Sequence, residues 1–411
     1  MSPTDFDIVV VGAGVAGSVL AAVMARGGKS VLLLERSEVH LDVVRGEWIA
    51  PWGVAETKRL GVYDLYLANG GHHLTRHVTY HEDMSPEEAE TETFDMTAML
   101  PDNRGPLCIR HPHLCTLMNE HAVAQGATLL RGVRRTHVTP DTTPTVTFDH
   151  GGQSHTLRPK LVVGADGRHG FTAQQIGTTL QQDPTHHQFS GMLVENVFDW
   201  PDDKQCIATE GDVNVLVFPQ GSGRIRLYVS FANERKGWLL GPQGQQQFLN
   251  AFRVNCVPGV EAIATGTPAG PCFVYPNHDT WIDRPFAPGV VLIGDAAGRN
   301  DPITGQGLSI SHRDVRIVTE LLLANSDWSM QTLAPYAEER SERMRRLRYS
   351  ARAASIRDAE FTVAAKQRRA RVRTRLREHP ELMPIFITPF VGPEHFPAEA
   401  FSDAAMAAIF A

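Results

Sequence analysis

Three glycines, Gly12, Gly14 and Gly17, follow a run of β-branched residues and precede a stretch of helix formers, and Glu35 stands eighteen residues after the last of them. The spacing GxGxxG suits a pyrophosphate. The first glycine permits a tight turn, the second lets backbone approach the phosphates, and the third lets helix and strand pack closely. The helix N-terminus then faces the negative charge. An acid at that distance accepts hydrogen bonds from an adenosine ribose and repels a 2′-phosphate, so the turn reads as a site for FAD or NAD rather than NADP. Arg36, next to Glu35, is counted with the same set. These roles require a strand at Asp7–Val11, a helix over Ser18–Arg26 stopped by Gly27 and Gly28, and a second strand at Ser30–Leu34. The first strand should be buried on both faces of a parallel sheet. Ile8 to Ala25 is also an eighteen-residue apolar run interrupted by one Ser, long enough on length alone to span a membrane. Asp5 and Asp7 precede it with no Lys or Arg, unlike a signal peptide, and strand, turn and helix explain the run without a membrane span.

Two later segments choose between the dinucleotides. Leu161 to Gly167 reads LVVGADG and Gly289 to Asp295 reads GVVLIGD, both short buried strands ending in a Gly/Asp turn. An aspartate at the carboxyl end of a parallel strand points into the ligand crevice. Asp166, beside Gly167, and Asp295 could each accept a hydroxyl from a ribityl chain, which FAD has and NAD lacks. After Asp295, Pro302, Gly305, Gln306 and Gly307 precede a helix from about Leu308. Glycines there bring backbone N–H groups and a helix N-terminus against a ring that becomes anionic on reduction.

GxGxxG, the GADG turn, and GDAA followed by DPxxGxG together resemble the three fingerprints of the single-component (group A) FAD-dependent aromatic hydroxylases, the p-hydroxybenzoate hydroxylase-like monooxygenases, over about Phe6 to Arg316. The resemblance implies an α/β fold. A Rossmann-like FAD-binding domain (1–72, 98–185 and 283–320) is interleaved with a mostly antiparallel-sheet substrate domain (73–97 and 186–282), followed by a helical C-terminal region (321–411). It implies that Arg45, in VRGEWIAPWGV, lies near the pyrophosphate and that Arg110, in CIRHPHL, opens a flavin-side helix. HQFSGMLVENVF, NVLVFPQ, RIRLYVSFA and CFVYP supply the substrate sheet, with a hairpin turn at Gln220-Gly221-Ser222-Gly223. Arg226 and Tyr228 lie two apart and share a strand face. By resemblance that face looks toward substrate and flavin, with Pro302 nearby; a solvated Arg and a core Tyr is the alternative.

The activity implied is hydroxylation or epoxidation of an aromatic or polyunsaturated small molecule. Hydride from NAD(P)H reduces the flavin at N5, O2 adds at C4a, and the hydroperoxide passes its distal oxygen to substrate. The flavin carries the chemistry, so no metal or catalytic base is assigned. Two other readings stand: a flavin-dependent reductase or dehydrogenase of the polyprenyl-reductase type without oxygen insertion, and a non-catalytic flavin-binding interaction module. The sequence departs from the family pattern at Gly170 and Ala173, where Ser and Arg are usual, which bears on nicotinamide handling. It departs again at Gly298, where His is common, which implies more room or a different polar lining beside the flavin. GEWIAPWG also resembles the halogenases and polyprenyl reductases, but without a WxWxIP motif halogenation falls behind.

The remaining composition sets bounds. The 411 residues are 42% hydrophobic, enough for two domains with a large core and incompatible with disorder. The net charge of -7 gives no general attraction to nucleic acid or anionic lipid, so neither is expected as a partner. Arg340 to Arg377 holds fourteen Lys and Arg against three Asp and Glu, a +11 segment against a -18 remainder. Its Met344, Leu347, Ala351 and Ala354 form a helical apolar stripe. A solvated or intramolecular basic face ranks ahead of ligand steering, and that ahead of an external polyanion. Five unpaired-looking cysteines read as reduced thiols in a cytoplasmic protein. His73, His77 and His81, beside His72, repeat every four residues, but Thr75, Val78, Thr79 and Tyr80 favour strand or loop, where they stand too far apart to share an ion. They could instead be pocket acid/base groups. Glu378 to Ala411 reads as a Pro-punctuated tail ending in a short helix.

Overall fold

The computed structural model describes residues 6–411, so Asp5 and the start of the 1–72 segment lie outside the described residues. The apolar run near the N-terminus divides into the strand Ile8–Val11 and the helix Val15–Arg26. Ile8–Val11 sits inside a six-stranded sheet in the order Phe286–Ala287, Val290–Leu292, Leu161–Gly164, Ile8–Val11, Val31–Leu34, Thr128–Leu130. All neighbours pair in parallel except the first two. Because successive side chains point to opposite faces, the strand residues divide between two cores. Ile8, Val10, Val31, Leu33, Leu161 and Val163 face the helices, among them Val15–Arg26, His111–Ala124 and Gly307–Ala324. Val9, Val11, Leu32, Leu34 and Val162 face a three-stranded meander, Arg134–Thr139, Thr145–His150 and Gln153–Leu157. Burial on both sides is why these strands read as unbroken apolar runs. Among the described residues no helix is long and apolar enough to cross a membrane.

A second, eight-stranded sheet is mostly antiparallel. Its path runs Thr267–Pro268, His187–Glu195, Ile225–Phe231, Val213–Pro219, Lys204–Glu210, Arg76–His81, Phe94–Asp95, with Phe273–Asn277 also paired to His187–Glu195. The hairpin joining Val213–Pro219 to Ile225–Phe231 turns through Gly221, Ser222 and Gly223, all at positive φ. Arg76–His81, from far upstream, pairs in parallel with Lys204–Glu210, matching His77 to Gln205 and Thr79 to Ile207. One face carries a core of Val78, Met192, Val215 and Leu227; the other borders a cavity.

The C-terminal region is helical: Met330–Asp358 and Val363–Glu378. Met344, Leu347 and Ala351 are buried, and most of the basic residues are paired within the molecule. Arg340 and Arg343 reach the buried Asp314 at 3.0 and 2.6 Å. Arg345 and Arg346 bind Glu342, while Lys366 and Arg369 meet Glu82, Arg373 meets Asp83, and Arg377 meets Glu88 and Glu92. Residues 378–411 are not a loose tail. Pro384–Val391 and Asp403–Phe410 fold back as helices, burying Ile385, Phe401, Met406 and Ile409. The fold is α/β: a Rossmann-like parallel sheet interleaved in sequence with a mostly antiparallel sheet, and a helical C-terminal region.

Candidate active site: two joined cavities

The turn after Ile8–Val11 opens onto a cleft of about 780 Å³. Gly12 has φ +105°, and a Cβ there would lie 2.4 Å from Ala165 O; a Cβ on Gly17 would lie 2.0 Å from Gly12 O. Gly14 faces open space. Two glycines therefore serve close packing and the middle one leaves an approach. The buried Glu35 braces the turn, accepting from Ala13 N at 2.9 Å and Ser37 N at 2.8 Å, and lines the cleft beside Arg36. Each carboxylate oxygen keeps a lone pair for a further donor.

The two strand-end aspartates differ. Asp166 Oδ2 accepts from Phe171 N, Thr172 N and Thr172 Oγ1 at 2.8 to 2.9 Å, tying down the chain that follows it. A Cβ on Gly170 would sit 2.1 Å from Asp166 Cγ, so the Ser usual there has no space. Ala173 packs against the meander core. Asp295, by contrast, accepts no side-chain hydrogen bond from the described residues and borders both this cleft and its neighbour. Gly298 corrects the expectation of extra room beside the flavin: at φ +107° its missing Cβ would lie 2.5 Å from Thr280 O and 2.6 Å from Trp281 Cα, so the Thr280–Trp281 backbone fills that place.

A second cavity, about 360 Å³, shares Arg45, Gly46, Arg168, Asp295 and Gly307 with the cleft. Positive charge converges at the junction. Burial, and then the charges of Arg45 and Arg299, pull Arg168 down to about 10. Arg45 Nη1 and Arg168 Nε are buried without a protein partner, which leaves them open to an anion. Pro302–Thr304 forms a short 3-10 turn ahead of Gly305, which has φ +68° and backs onto the Trp48 ring. Gln306 is turned inward, accepting from Trp52 Nε1 at 2.9 Å. Gly307 faces open space where the helix to Ala324 begins. Aromatic side chains wall this cavity: Phe189 stacks on Tyr228 at 5.3 Å, and Phe390 meets Trp48 edge-on at 5.9 Å.

Arg226 lines neither cavity and is not solvated. Fully buried, it donates to Glu47 through Nε and Nη2 at 2.8 Å and to Asp42 at 2.7 Å. Burial pushes the Asp42 carboxyl up, but the Arg226 charge and hydrogen bond outweigh it and hold the group below its ordinary value. Tyr228 lies on the same strand face, its ring in the cavity wall and its hydroxyl donating to Arg45 O at 2.7 Å. Glu47 also accepts from Gln220 and, at 2.8 Å, from His111 N at the start of His111–Ala124, whose N-cap is Arg110. The Arg110 side chain borders neither cavity, and its Nε is buried without a partner. Gly17 lies beneath the turn. Gly12, Gly14, Glu35, Arg36, Asp166 and Gly167 line the cleft; Pro302, Gly305 and Gln306 line the second cavity; Arg45, Asp295 and Gly307 line both.

The four histidines go separate ways. His72 bonds Asp202 O, His73 lies between Tyr63 and the Gly105–Pro106 carbonyls, His81 is buried near Asp358, and His77 faces the second cavity. Behind the Pro302 turn, Asp279 Oδ1 accepts from Asn300 Nδ2 and Asp301 N at 2.7 and 2.9 Å. Burial, then the neighbouring Asp301, pushes Asp279 up to about 8; burial pushes Asp301 up to about 6. The sequence reading missed these acids, Glu47, Trp48, Gln205, Thr79 and the Pro384–Val391 wall. Glu47 and Trp48 lay inside the GEWIAPWG stretch, Asp301 inside the DPxxGxG fingerprint and Thr79 inside the histidine-rich segment already singled out; Asp279, Gln205 and the Pro384–Val391 wall carry no local signal.

Comparison with known proteins agrees with this architecture. Residues 5–351 match the FAD binding domain family. The chain belongs to that family, as its resemblance to the group A flavoprotein monooxygenases implied. Mitochondrial squalene epoxidase 2 of Arabidopsis thaliana is 24% identical over 333 residues, covering 77% of this chain and 54% of the epoxidase. Digeranylgeranylglycerophospholipid reductase 1 of Methanococcoides burtonii is 28% identical over 333 residues, covering 74% and 71%. The chain thus spans little more than half the length of that epoxidase. Among solved structures, p-nitrophenol 4-monooxygenase PnpA of Pseudomonas putida shares the fold with a TM-score of 0.77 at 17% identity, over 95% of this chain and 99% of that one.

Proposed function

We propose that the protein is an FAD-dependent monooxygenase that uses NAD(P)H and O2 to hydroxylate or epoxidise an aromatic or polyunsaturated small molecule. The observation that carries this reading is the junction: a glycine-rich cleft with unpaired buried guanidinium nitrogens runs directly into an aromatic cavity at Asp295 and Gly307. When bound, FAD supplies the redox chemistry, taking hydride from the nicotinamide and passing electrons to O2. The residues present fit it. Glu35 would hold the adenosine ribose, the Gly12–Gly17 turn with Arg45 and Arg168 the pyrophosphate, and Asp295 a ribityl hydroxyl. The backbone N–H groups of Gln306 and Gly307 and the helix N-terminus behind them would face the ring and favour negative charge there, the Gly305 N–H being taken by Pro302 O. Tyr228 holds the Arg45 carbonyl, and the aromatic walls exclude water and orient substrate. One oxygen atom of O2 enters the product and the other leaves as water. Purified protein should be yellow, and Asp295→Ala should lose FAD on dialysis. Labelled ¹⁸O2 should appear in product with substrate-stimulated NAD(P)H consumption; a colourless protein that cannot take up FAD ends the reading.

A reductase without oxygen insertion is the second reading, supported by the archaeal reductase among the relatives. It predicts turnover undiminished without O2. An interaction module displaying its basic helix gains no support, because Arg345 and Arg346 are engaged by Glu342 and Arg348 lies over Trp281 at 4.4 Å.

A further inference from the structure

We propose that Thr79 offers its hydroxyl hydrogen to the aromatic cavity, so that the substrate is an uncharged, mainly apolar molecule carrying one carbonyl-type oxygen that accepts it. This rests on the proposed function and adds the polar feature that the substrate must have. The argument is one of direction along a chain of hydrogen bonds. Trp48, whose ring backs onto Gly305, donates from Nε1 to Gln205 Oε1 at 2.8 Å. An indole N–H can only donate, so the Gln205 amide has its oxygen toward Trp48 and its NH2 toward His77. Gln205 Nε2 lies 3.0 Å from His77 Nδ1, which must therefore accept. A neutral imidazole then carries its proton on Nε2. That nitrogen lies 3.1 Å from Thr79 Oγ1, two residues along the same strand and on the same face. Thr79 is thereby made the acceptor of the last bond, and its own O–H has no protein acceptor among the described residues. Thr79 and His77 both line the cavity.

Burial, then the Arg357 charge, pulls His77 down to about 4, so the imidazole is neutral at physiological pH as the chain requires. The charges beside His77 cancel: Arg357 grips Asp358 through Nε and Nη2 at 2.8 and 2.7 Å. That end of the cavity has a donor, aromatic surface and no spare charge. Ser350 Oγ, also in the cavity lining, is buried without a partner.

The test uses the full chain loaded with oxidised FAD, reading dissociation constants from the flavin absorbance without turnover. The probes are 2-acetylnaphthalene and 2-ethylnaphthalene, alike in shape but differing in the carbonyl. One hydrogen bond to a buried donor corresponds to about tenfold tighter binding of the ketone. Thr79→Val should erase that preference with the hydrocarbon affinity unchanged, which also shows that the cavity is intact, and Thr79→Ser should retain it. Gln205→Met, which frees His77 to move its proton, should weaken it. A ketone preference that persists in Thr79→Val, or is absent from the wild type, overturns the Thr79 assignment while leaving the flavin reading standing. Failure to take up FAD overturns both.

Discussion

Asp279 and Asp301 are carboxyls kept from water directly behind the Pro302–Thr304 turn that lines the second cavity. Both hold their protons to higher pH than in an unfolded chain, where Asp titrates near ~3.9. Between those limits the native state binds more protons than the unfolded state, so stability falls as pH rises. Their contribution is fully present below about pH 4 and is lost as pH climbs through about 6 and about 8. Thermal unfolding scans from pH 5 to 9 should therefore show a declining Tm, and Asp279→Asn, which keeps the oxygen that accepts from Asn300, should flatten the decline. An equal slope in the variant would remove Asp279 as its source. Arg226 is the opposite case, a buried cation already matched. Arg226→Met strands Glu47 and Asp42 and should cost about 3–5 kcal/mol in urea unfolding, part of it restored by adding Glu47→Gln. This residue shows the limit of reading the chain alone. The strand parity that put Arg226 and Tyr228 on one face was correct, but Glu47 lies 179 positions away, and nothing local says which charge will meet Arg226.

The strand, turn and helix at the N-terminus were legible because every signal in them is local: a β-branched run, spaced glycines, then helix formers. The spacing assigns its glycines different work, and the structure supplies the contacts behind that division. A methyl at Gly17 would run into Gly12 O, while one at Gly14 meets nothing. Gly17→Ala should accordingly lower both the Tm of the FAD-free protein and its FAD affinity. Gly14→Ala should leave the FAD-free unfolding free energy within about 1 kcal/mol of wild type, the ordinary Gly-to-Ala scale, yet weaken FAD binding. Differential scanning calorimetry and FAD titration separate the two; matching behaviour would refute the division. Pro384–Val391 was illegible for the reverse reason. Two prolines in eight residues argue against a helix, but Pro384 sits in its first turn and Pro389 in its last. Tertiary burial of Ile385 and Val391 then decides the matter.

Across the whole molecule, the segregated charge visible in the sequence becomes a contact between distant parts of the chain. Lys366, Arg369, Arg373 and Arg377, spaced to share a helix face, meet Glu82, Asp83, Glu88 and Glu92 around the Arg76–His81 strand. The partners are partly exposed, so neutralising Arg373 and Arg377 should cost only about 0–1 kcal/mol each, shrinking in 1 M salt. A loss independent of salt would mean the pairs do more than screen charge. That clasp holds a strand with an awkward history. Arg76–His81 emerges from the ribosome about 130 residues before its parallel partner at Lys204. At ~5–20 residues per second it waits roughly 6–25 s with that edge unpaired. The wall of the aromatic cavity is thus assembled out of order during synthesis, and the interval before Lys204 arrives is when a newborn chain is most exposed to pairing with the wrong neighbour.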